Sequence, residues 1–406
     1  MKFGLLGRHL LHSYSPRIHA CLGDYPYTLH EIEPSQLEDF LRAEHFDGLN
    51  VTIPYKKAVI PYLSSLTPEA QRLGAVNTIV RNGDALVGHN TDYFGFCSML
   101  QRCNLNPYGK KVLVLGSGGA SNTAVAVLRE VGANAIVISR TGENNYQNLD
   151  LHRDAAIIVN ATPVGMYPDT GISPIDLDHF PNLEAVLDII YNPARTRLLL
   201  DAQQRDLITE NGLWMLVAQA KESAEWFTGT TISDTEINRI YEKFRREMEN
   251  IVLIGMPGCG KTTTATHLAN ILSRKLIDLD AAVTEMAGCS IPEIFARGGE
   301  ATFRKLETEV LCRYGKESGL VIATGGGSVT RPENYFHIHQ NAAVFWLTRE
   351  LSKLPTEGRP LSQAGKLEQL YAVRKPMYEA FSDYVISNDG PIEETVASII
   401  TYYTES

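Results

Sequence analysis

The chain has 406 residues, 44% hydrophobic and 21% charged, with a formal net charge of −10. That length supports two or three domains, each with its own core, and the negative balance argues against nucleic acid as a main partner. No run is long and uncharged enough for a membrane span, and the six cysteines (Cys21, Cys97, Cys103, Cys259, Cys289, Cys312) follow neither metal nor disulfide spacing, which points to a reducing cytoplasm.

The opening Met1-Lys2-Phe3-Gly4-Leu5-Leu6 reads as a first strand rather than a signal peptide. Through residue 100, short apolar runs (Leu5-Leu6, Tyr27 to His30, Gly48 to Val51) alternate with helical spacing such as Leu37, Phe40 and Leu41. This βαβ rhythm predicts a mostly parallel sheet covered by helices. Polar residues gather where strands end: His12 to Pro16, Asn50 to Lys56, Asn77-Thr78 and Asn90-Thr91-Asp92. Ligands of open α/β sheets bind at the carboxyl ends of strands, and these hydroxyls, amides, lysine and aspartate suit a small polyhydroxylated acid. Singly, such residues are ordinary turn formers and helix caps.

After a helix-like stretch from Tyr93, the run Lys111 to Leu115 makes a strand, followed by Gly116-Ser117-Gly118-Gly119-Ala120-Ser121 and a helix through Val127 and Leu128. This resembles a dinucleotide-binding fingerprint with Ser121 where a third glycine would fall. The next strand, Ala135 to Ile138, ends in Ser139-Arg140-Thr141. An arginine there accommodates a 2′-phosphate, whereas an acid would hold a ribose 2′-hydroxyl, so Arg140 favours NADPH over NAD. A further strand, Ala156 to Val159, runs into Asn160-Ala161-Thr162-Pro163-Val164-Gly165-Met166.

These motifs, with Gly74 to Thr78 and Met215 to Ala220, occur in the order of the shikimate dehydrogenases, which the chain resembles over nearly all of residues 1–230. The resemblance implies a substrate domain and a Rossmann domain that together reduce 3-dehydroshikimate to shikimate with NADPH. It places Lys56 and Asp92 as the catalytic pair and Ser13, Ser15, Thr52, Asn77, Gln219 and Tyr191 against the substrate. Gly116, Gly118, Gly119, Ala120, Arg140 and Thr141 would hold the dinucleotide. The chemistry agrees, because a ketone that accepts a hydride leaves an alkoxide, and a lysine beside a carboxylate can protonate it. Ser139 and Trp214 depart from the family pattern near the expected cofactor.

Thr235 to Asn250 reads as a charged helix with no Gly/Ser linker after it. Ile251 to Ile254 is then a short apolar strand running into Gly255-Met256-Pro257-Gly258-Cys259-Gly260-Lys261-Thr262, a full match to the phosphate loop G-x-x-x-x-G-K-[ST], with a helix after it. Its backbone N–H groups would cradle phosphates, Lys261 would reach the outer ones, and Thr262 would ligate Mg2+. Lys275 to Asp280 is a strand ending in two aspartates. Leu320 to Thr324 runs into Gly325-Gly326-Gly327, where close backbone approach to a ligand is expected. Gly358 to Leu361 suits a lid, and Arg374 is expected to open a helix containing Pro376 and Tyr378.

Across about 155 residues this set resembles shikimate kinase, a nucleoside monophosphate kinase-like α/β fold with a parallel sheet. The resemblance implies that Gly255, Gly258, Gly260, Lys261, Thr262 and Thr263 bind ATP and that Thr262 and Asp278 serve the metal. Arg304, Gly325, Gly326, Gly327 and Arg374 would hold shikimate. Lys261, Asp280 and Arg359 would serve catalysis, Asp280 at the attacking hydroxyl and Arg359 over the transferring phosphoryl group. The stretch before Arg359 is short, with Lys353 the candidate to replace an adenine-stacking arginine. His337-x-His339 is read as structural rather than a metal pair, and Cys259 as a tolerated small residue.

The expected organisation is therefore 1–247 (substrate domain about 1–100 plus 212–247, Rossmann domain about 101–211) followed by a phosphate-loop domain, 248–406. The implied function is a bifunctional enzyme taking 3-dehydroshikimate to shikimate 3-phosphate with NADPH and MgATP, in the cytoplasm, as monomer or homodimer. Two alternatives stand beside it. One is a metabolite-sensing regulator built from enzyme-like domains. The other is an NAD-dependent quinate or shikimate dehydrogenase fused to a kinase for another hydroxy acid.

Overall fold

Phe3–Gly7 (β1) pairs in parallel with Tyr27–Glu31 (β2) on one side and Gly48–Val51 (β3) on the other in the computed structural model, which describes residues 1–10, 13–43, 46–354 and 367–405. Ser65–Leu66 (β4), Thr78–Asn82 (β5) and Ala85–His89 (β6) complete a sheet of order β2-β1-β3-β5-β6-β4. Most pairings of this sheet are parallel, as expected, but β5 is antiparallel to both β3 and β6. The cause is local. Gly83, at φ +61°, lets the chain reverse in two residues between the paired Asn82 and Ala85. The reversal matters for the site, because it brings the start of β5 to the edge where β3 and β6 end. Asn50 then faces Thr78, and Thr78 faces His89.

Lys111–Leu115 (β7), Asn134–Ile138 (β8), Ile157–Asn160 (β9), Ala185–Asp188 (β10) and Ile208–Glu210 (β11) form a wholly parallel sheet, order β11-β10-β9-β7-β8. Val112 to Leu115 are solvent-free, as a strand covered on both faces requires, which accounts for their unbroken apolar run. The chain leaves β7 for β8 on one side and returns to β9 on the other, so a crevice opens at the end of β7.

Asn250–Ile254 (β12), Lys275–Asp278 (β13), Leu320–Ala323 (β14), Ala342–Thr348 (β15) and Tyr384–Ser387 (β16) make a third, parallel sheet, order β13-β14-β12-β15-β16. Its core gathers Ile251, Leu253, Leu268, Val321, Phe345 and Tyr378. The helix Ile291–Gly315 kinks at Gly299, whose φ of 67° is not helical. The helix Leu367–Phe381 carries Arg374 in its middle instead of opening there; Pro376 sits inside it as expected, and Leu367, Arg374, Tyr378 and Phe381 supply the buried face.

The chain divides into two units: Met1–Val164 with Ser173–Tyr191 and Asp201–Lys243, and Gly165–Ile172 with Asn192–Leu200 and Phe244–Ser406. Its last passage from one to the other falls within the helix Thr235–Met248.

Candidate active sites

In the first unit, Lys56 lies on the short helix Tyr55–Ala58 after β3, and Asp92 opens the helix Asp92–Arg102 after β6. The Lys56 Nζ meets Asp92 Oδ2 at 2.5 Å, with both side chains partly open to solvent. The other carboxylate oxygen, Oδ1, accepts from Asn77 Nδ2 at 2.9 Å. Asn77 cannot flip, because its Oδ1 accepts the Thr91 backbone N–H at 2.7 Å. Gln219, on the helix Gly212–Thr228, reaches the same group: its Oε1 lies 3.4 Å from the Thr91 hydroxyl and its Nε2 donates to Leu216 O at 2.8 Å. Lys56, Asp92, Asn77 and Gln219 therefore form one connected cluster.

The remaining expected substrate residues make contacts of their own. Ser13 Oγ accepts the Ser15 N–H at 3.2 Å, and the Thr52 N–H donates to Leu6 O at 2.9 Å. Tyr191 meets the Tyr14 ring edge-on at 5.7 Å, and burial pushes its hydroxyl up to about 12. Beneath the cluster is a buried polar layer that motif reading did not identify as a unit. Asn50 Nδ2 donates to Ser223 Oγ (2.8 Å) and Thr78 Oγ1 (3.1 Å), and Asn50 Oδ1 accepts from Tyr27 (2.7 Å). Tyr27 stacks on His19 at 4.1 Å, whose imidazole burial holds down to about 3.

At the end of β7, Gly116 takes φ +102°, and a side chain there would strike Ala161 O. Ser121, in the third-glycine position, is buried and turns its hydroxyl back onto Gly116 O at 2.7 Å, so the departure is absorbed inside the loop. Gly118 and Gly119 have open space where a Cβ would point, which fits a cradle for a dinucleotide pyrophosphate, and Ala120 follows them into the helix Gly119–Glu130. Arg140 and Thr141 are exposed after β8. Their loop is held by Asn145 Nδ2 to Gly142 O (3.1 Å) and Asn148 Nδ2 to Glu143 O (2.8 Å). Across the crevice, Asn160 Oδ1 accepts from Thr162 Oγ1 at 2.7 Å, while its Nδ2 donates to the fully buried Asp188 at 3.0 Å. Trp214 is engaged by Ser98, 2.8 Å from its Nε1, and by the Arg102 guanidinium over its ring.

In the second unit the loop from Gly255 to Gly260 leads into the helix Lys261–Leu272, with its glycines at positive φ. Lys261 is buried and donates to Gly255 O (2.9 Å) and Met256 O (3.0 Å), while Thr263 is exposed on the first turn. Thr262 Oγ1 donates to Asp278 Oδ2 at 2.7 Å, and Asp278 also caps the helix Leu279–Ala287. This hydroxyl–carboxylate pair beside a phosphate loop is a donor set that suits Mg2+. The carboxyl of Asp280 is raised above the usual range by burial and then by Asp278 and Glu307, with Lys261 and Arg304 opposing.

The three-glycine loop after β14 is filled from within. A Cβ on Gly325 would meet Glu307 Oε1, one on Gly326 would meet Pro257, and one on Gly327 would meet the Arg304 guanidinium. The glycines thus admit the protein's own side chains close to the loop backbone. Arg304 is clamped by Glu307 (2.8 Å) and Glu300 (3.0 Å), and Arg374 Nη1 donates to Gly326 O at 3.1 Å. Glu307, fully buried, is a further residue of this site that motif reading passed over, although it sits three residues from Arg304 on one helix face. Arg359 lies outside the described residues. Lys353 pairs with Glu350 and Asp389, each at 3.4 Å. His339 is held neutral, down to about 3, by burial, and its Nε2 lies 3.0 Å from Phe381 O. Among the described residues no group of three or more His, Cys, Asp or Glu side chains could hold a metal ion.

The comparisons with known proteins follow the same division. Residues 5–79 match the family model described as shikimate dehydrogenase substrate binding domain, and residues 257–404 match that described as shikimate kinase. A shikimate dehydrogenase (NADP(+)) of Caldanaerobacter subterraneus subsp. tengcongensis is 34% identical over 274 residues, covering 61% of this chain and 97% of that protein. Shikimate dehydrogenase 1 of Peptoclostridium difficile is 38% identical with a TM-score of 0.56, covering 60% and 97% of the two chains. The Thermus thermophilus shikimate 5-dehydrogenase solved with NADP(H) and shikimate is 32% identical, TM-score 0.56, covering 60% and 99%.

Proposed function

Because the chain belongs to the shikimate dehydrogenase family and matches the shikimate kinase model beyond it, we propose that it reduces 3-dehydroshikimate to shikimate and phosphorylates shikimate to shikimate 3-phosphate. The observation that carries the reading is the presence of two polar clusters on one chain, Lys56–Asp92 with Asn77 and Gln219, and Thr262–Asp278 with Asp280, Arg304 and Arg374.

NADPH and MgATP, when bound, supply the hydride and the phosphoryl group. The residues do the rest. In the first unit the Lys56 ammonium gives a proton to the oxygen of the reduced ketone, and Asp92 holds that ammonium in place through Oδ2 while Asn77 fixes Oδ1. Gly116, Gly118, Gly119 and Ala120 would cradle the dinucleotide, with Arg140 and Thr141 at its 2′-phosphate. In the second unit Asp280 takes the proton of the attacking hydroxyl, its raised carboxyl making it a stronger base than an ordinary aspartate. Arg304 and Arg374 pair the ring carboxylate. Lys261 would turn from its loop carbonyls to the nucleotide phosphates, and Thr262 with Asp278 would hold the metal.

The test is to incubate the purified chain with 3-dehydroshikimate and NADPH, with and without MgATP, and to weigh the products. Shikimate without ATP and shikimate 3-phosphate with it are expected. Shikimate in both tubes would refute the kinase acceptor, and no turnover with ligands still bound would favour the regulator.

A further inference from the structure

We propose that Ser223 is a positioning residue for the dehydrogenase reaction, keeping Gln219 Oε1 free for the ring substrate; this deepens the reading above and rests on it. Ser223 lies one helical turn beyond Gln219 and is wholly buried. Four polar atoms surround its hydroxyl: Asn50 Nδ2 at 2.8 Å, Thr78 Oγ1 at 2.9 Å, Gln219 O at 2.9 Å and Thr91 Oγ1 at 3.0 Å.

Proton accounting fixes most of these roles. A hydroxyl has one proton and two lone pairs. Asn50 Oδ1 accepts from Tyr27 at 2.7 Å, so Asn50 Nδ2 is a donor and takes one lone pair of Ser223. Asn77 Oδ1 accepts the Thr91 N–H, so Asn77 Nδ2 donates to Asp92 Oδ1 and to Thr91 Oγ1, at 2.9 and 3.0 Å. The Thr91 hydroxyl must then place its own proton elsewhere. The choices are Ser223 Oγ at 3.0 Å, Asn77 Oδ1 and Thr78 Oγ1 at 3.3 Å each, and Gln219 Oε1 at 3.4 Å. Thr78 places its proton on Asn77 Oδ1 at 3.2 Å, so the second lone pair of Ser223, the nearest acceptor, falls to Thr91, and Ser223 sends its own proton to Gln219 O. The Gln219 side-chain oxygen is left for a ligand hydroxyl. Remove the Ser223 hydroxyl, and the Thr91 proton turns toward the amide oxygens, competing with substrate for Gln219.

Ser223→Ala in the full chain is expected to raise the KM for 3-dehydroshikimate roughly tenfold, as the loss of one neutral hydrogen bond would. The kcat, its pH profile, the KM for NADPH and kinase turnover stay within twofold, because Lys56–Asp92 and the dinucleotide loop are not touched. In a Thr91→Val background, which removes the competing proton, Ser223→Ala adds nothing further. If Ser223→Ala does not accumulate as folded chain, Ser223→Cys, a similar-sized but poor acceptor, shows the same selective rise. A wild-type KM in a folded variant would overturn the proposal. So would a parallel rise in both KM values, or an effect that persists at full size beside Thr91→Val. Absence of 3-dehydroshikimate turnover in the wild-type chain would instead overturn the functional reading.

Discussion

Asp280 stands among charges of both signs, and which of them wins decides what it can do. Burial raises its carboxyl first, Asp278 and Glu307 add to the rise, and Lys261 and Arg304 only partly offset them. A raised carboxyl keeps its proton to higher pH in the folded protein than in the unfolded chain. Ionising it therefore costs stability, a cost that starts as pH climbs through the ordinary carboxylate value and is complete above the folded one. The same titration switches on the base. Kinase kcat/KM is expected to fall on its acid side at a pH above the ordinary carboxylate range, and Asp280→Asn should lower kcat by about 10²-fold or more. Dehydrogenase turnover should be unaffected by that substitution. An acid limb at the ordinary value, or an asparagine variant that keeps its rate, would remove Asp280 from the proton transfer.

At the scale of elements, the loop Gly325 to Gly327 shows a backbone shaped to suit side chains. Its central carbonyl receives Arg374 at 3.1 Å and the Tyr378 hydroxyl at 2.5 Å, while its last residue leaves room for Arg304. Gly327 has an ordinary φ of −111°, so an alanine there adds no backbone strain. Its Cβ would instead fall within 3 Å of all three terminal atoms of the Arg304 guanidinium, which Glu307 and Glu300 hold. Gly327→Ala is expected to raise the kinase KM for shikimate roughly tenfold by displacing that guanidinium, a loss comparable to one charge-assisted hydrogen bond. The KM for ATP should stay near wild type. Steady-state kinetics with each substrate varied in turn decides it, and equal rises in both KM values would mean that the whole loop has moved.

That loop also marks the boundary of what the sequence reveals. Fixed-spacing motifs disclosed the phosphate loop, the strand-end aspartates and the polar residues around Lys56, because backbone geometry dictates such spacings. Ser223 and Glu307 are different. Each is a single polar residue whose role comes from a burial partner, and partners such as Asn50 lie 173 residues away in the chain. Glu307 had a local signal, three residues from Arg304 on one helix, that was there to be used. The antiparallel β5–β6 pair also had one, Asn82-Gly83 between two apolar runs, and it was hidden by the βαβ rhythm around it. The helix expected to open at Arg374 begins by Leu367 instead, because its buried face of Leu367, Arg374, Tyr378 and Phe381 runs through Pro376.

At the scale of the whole molecule, two enzymes on one chain share a concentration and a pH, yet their acid stability should differ. In the first unit, burial holds His19 down to about 3 and His89 to about 4, and lowers His30 and His152 as well. In the second, burial holds His339 to about 3 and lowers His337. Each of these imidazoles is neutral when folded, whereas the unfolded chain binds its proton as pH drops below the ordinary value of 6.5. Stability is therefore full above that value and is lost on acidification, by at most about 1.4 kcal/mol per pH unit for each of His19, His89 and His339 down to its folded value. With more such groups, the first unit should weaken faster. Between pH 7 and pH 5, the urea concentration that halves dehydrogenase activity should fall further than the one that halves kinase activity. His19→Phe, which keeps a ring against Tyr27 but cannot take a proton, should flatten the dehydrogenase dependence and leave the kinase curve in place. Equal shifts for the two activities, or a dehydrogenase curve unchanged by His19→Phe, would show that buried imidazoles do not set the acid limit of this chain.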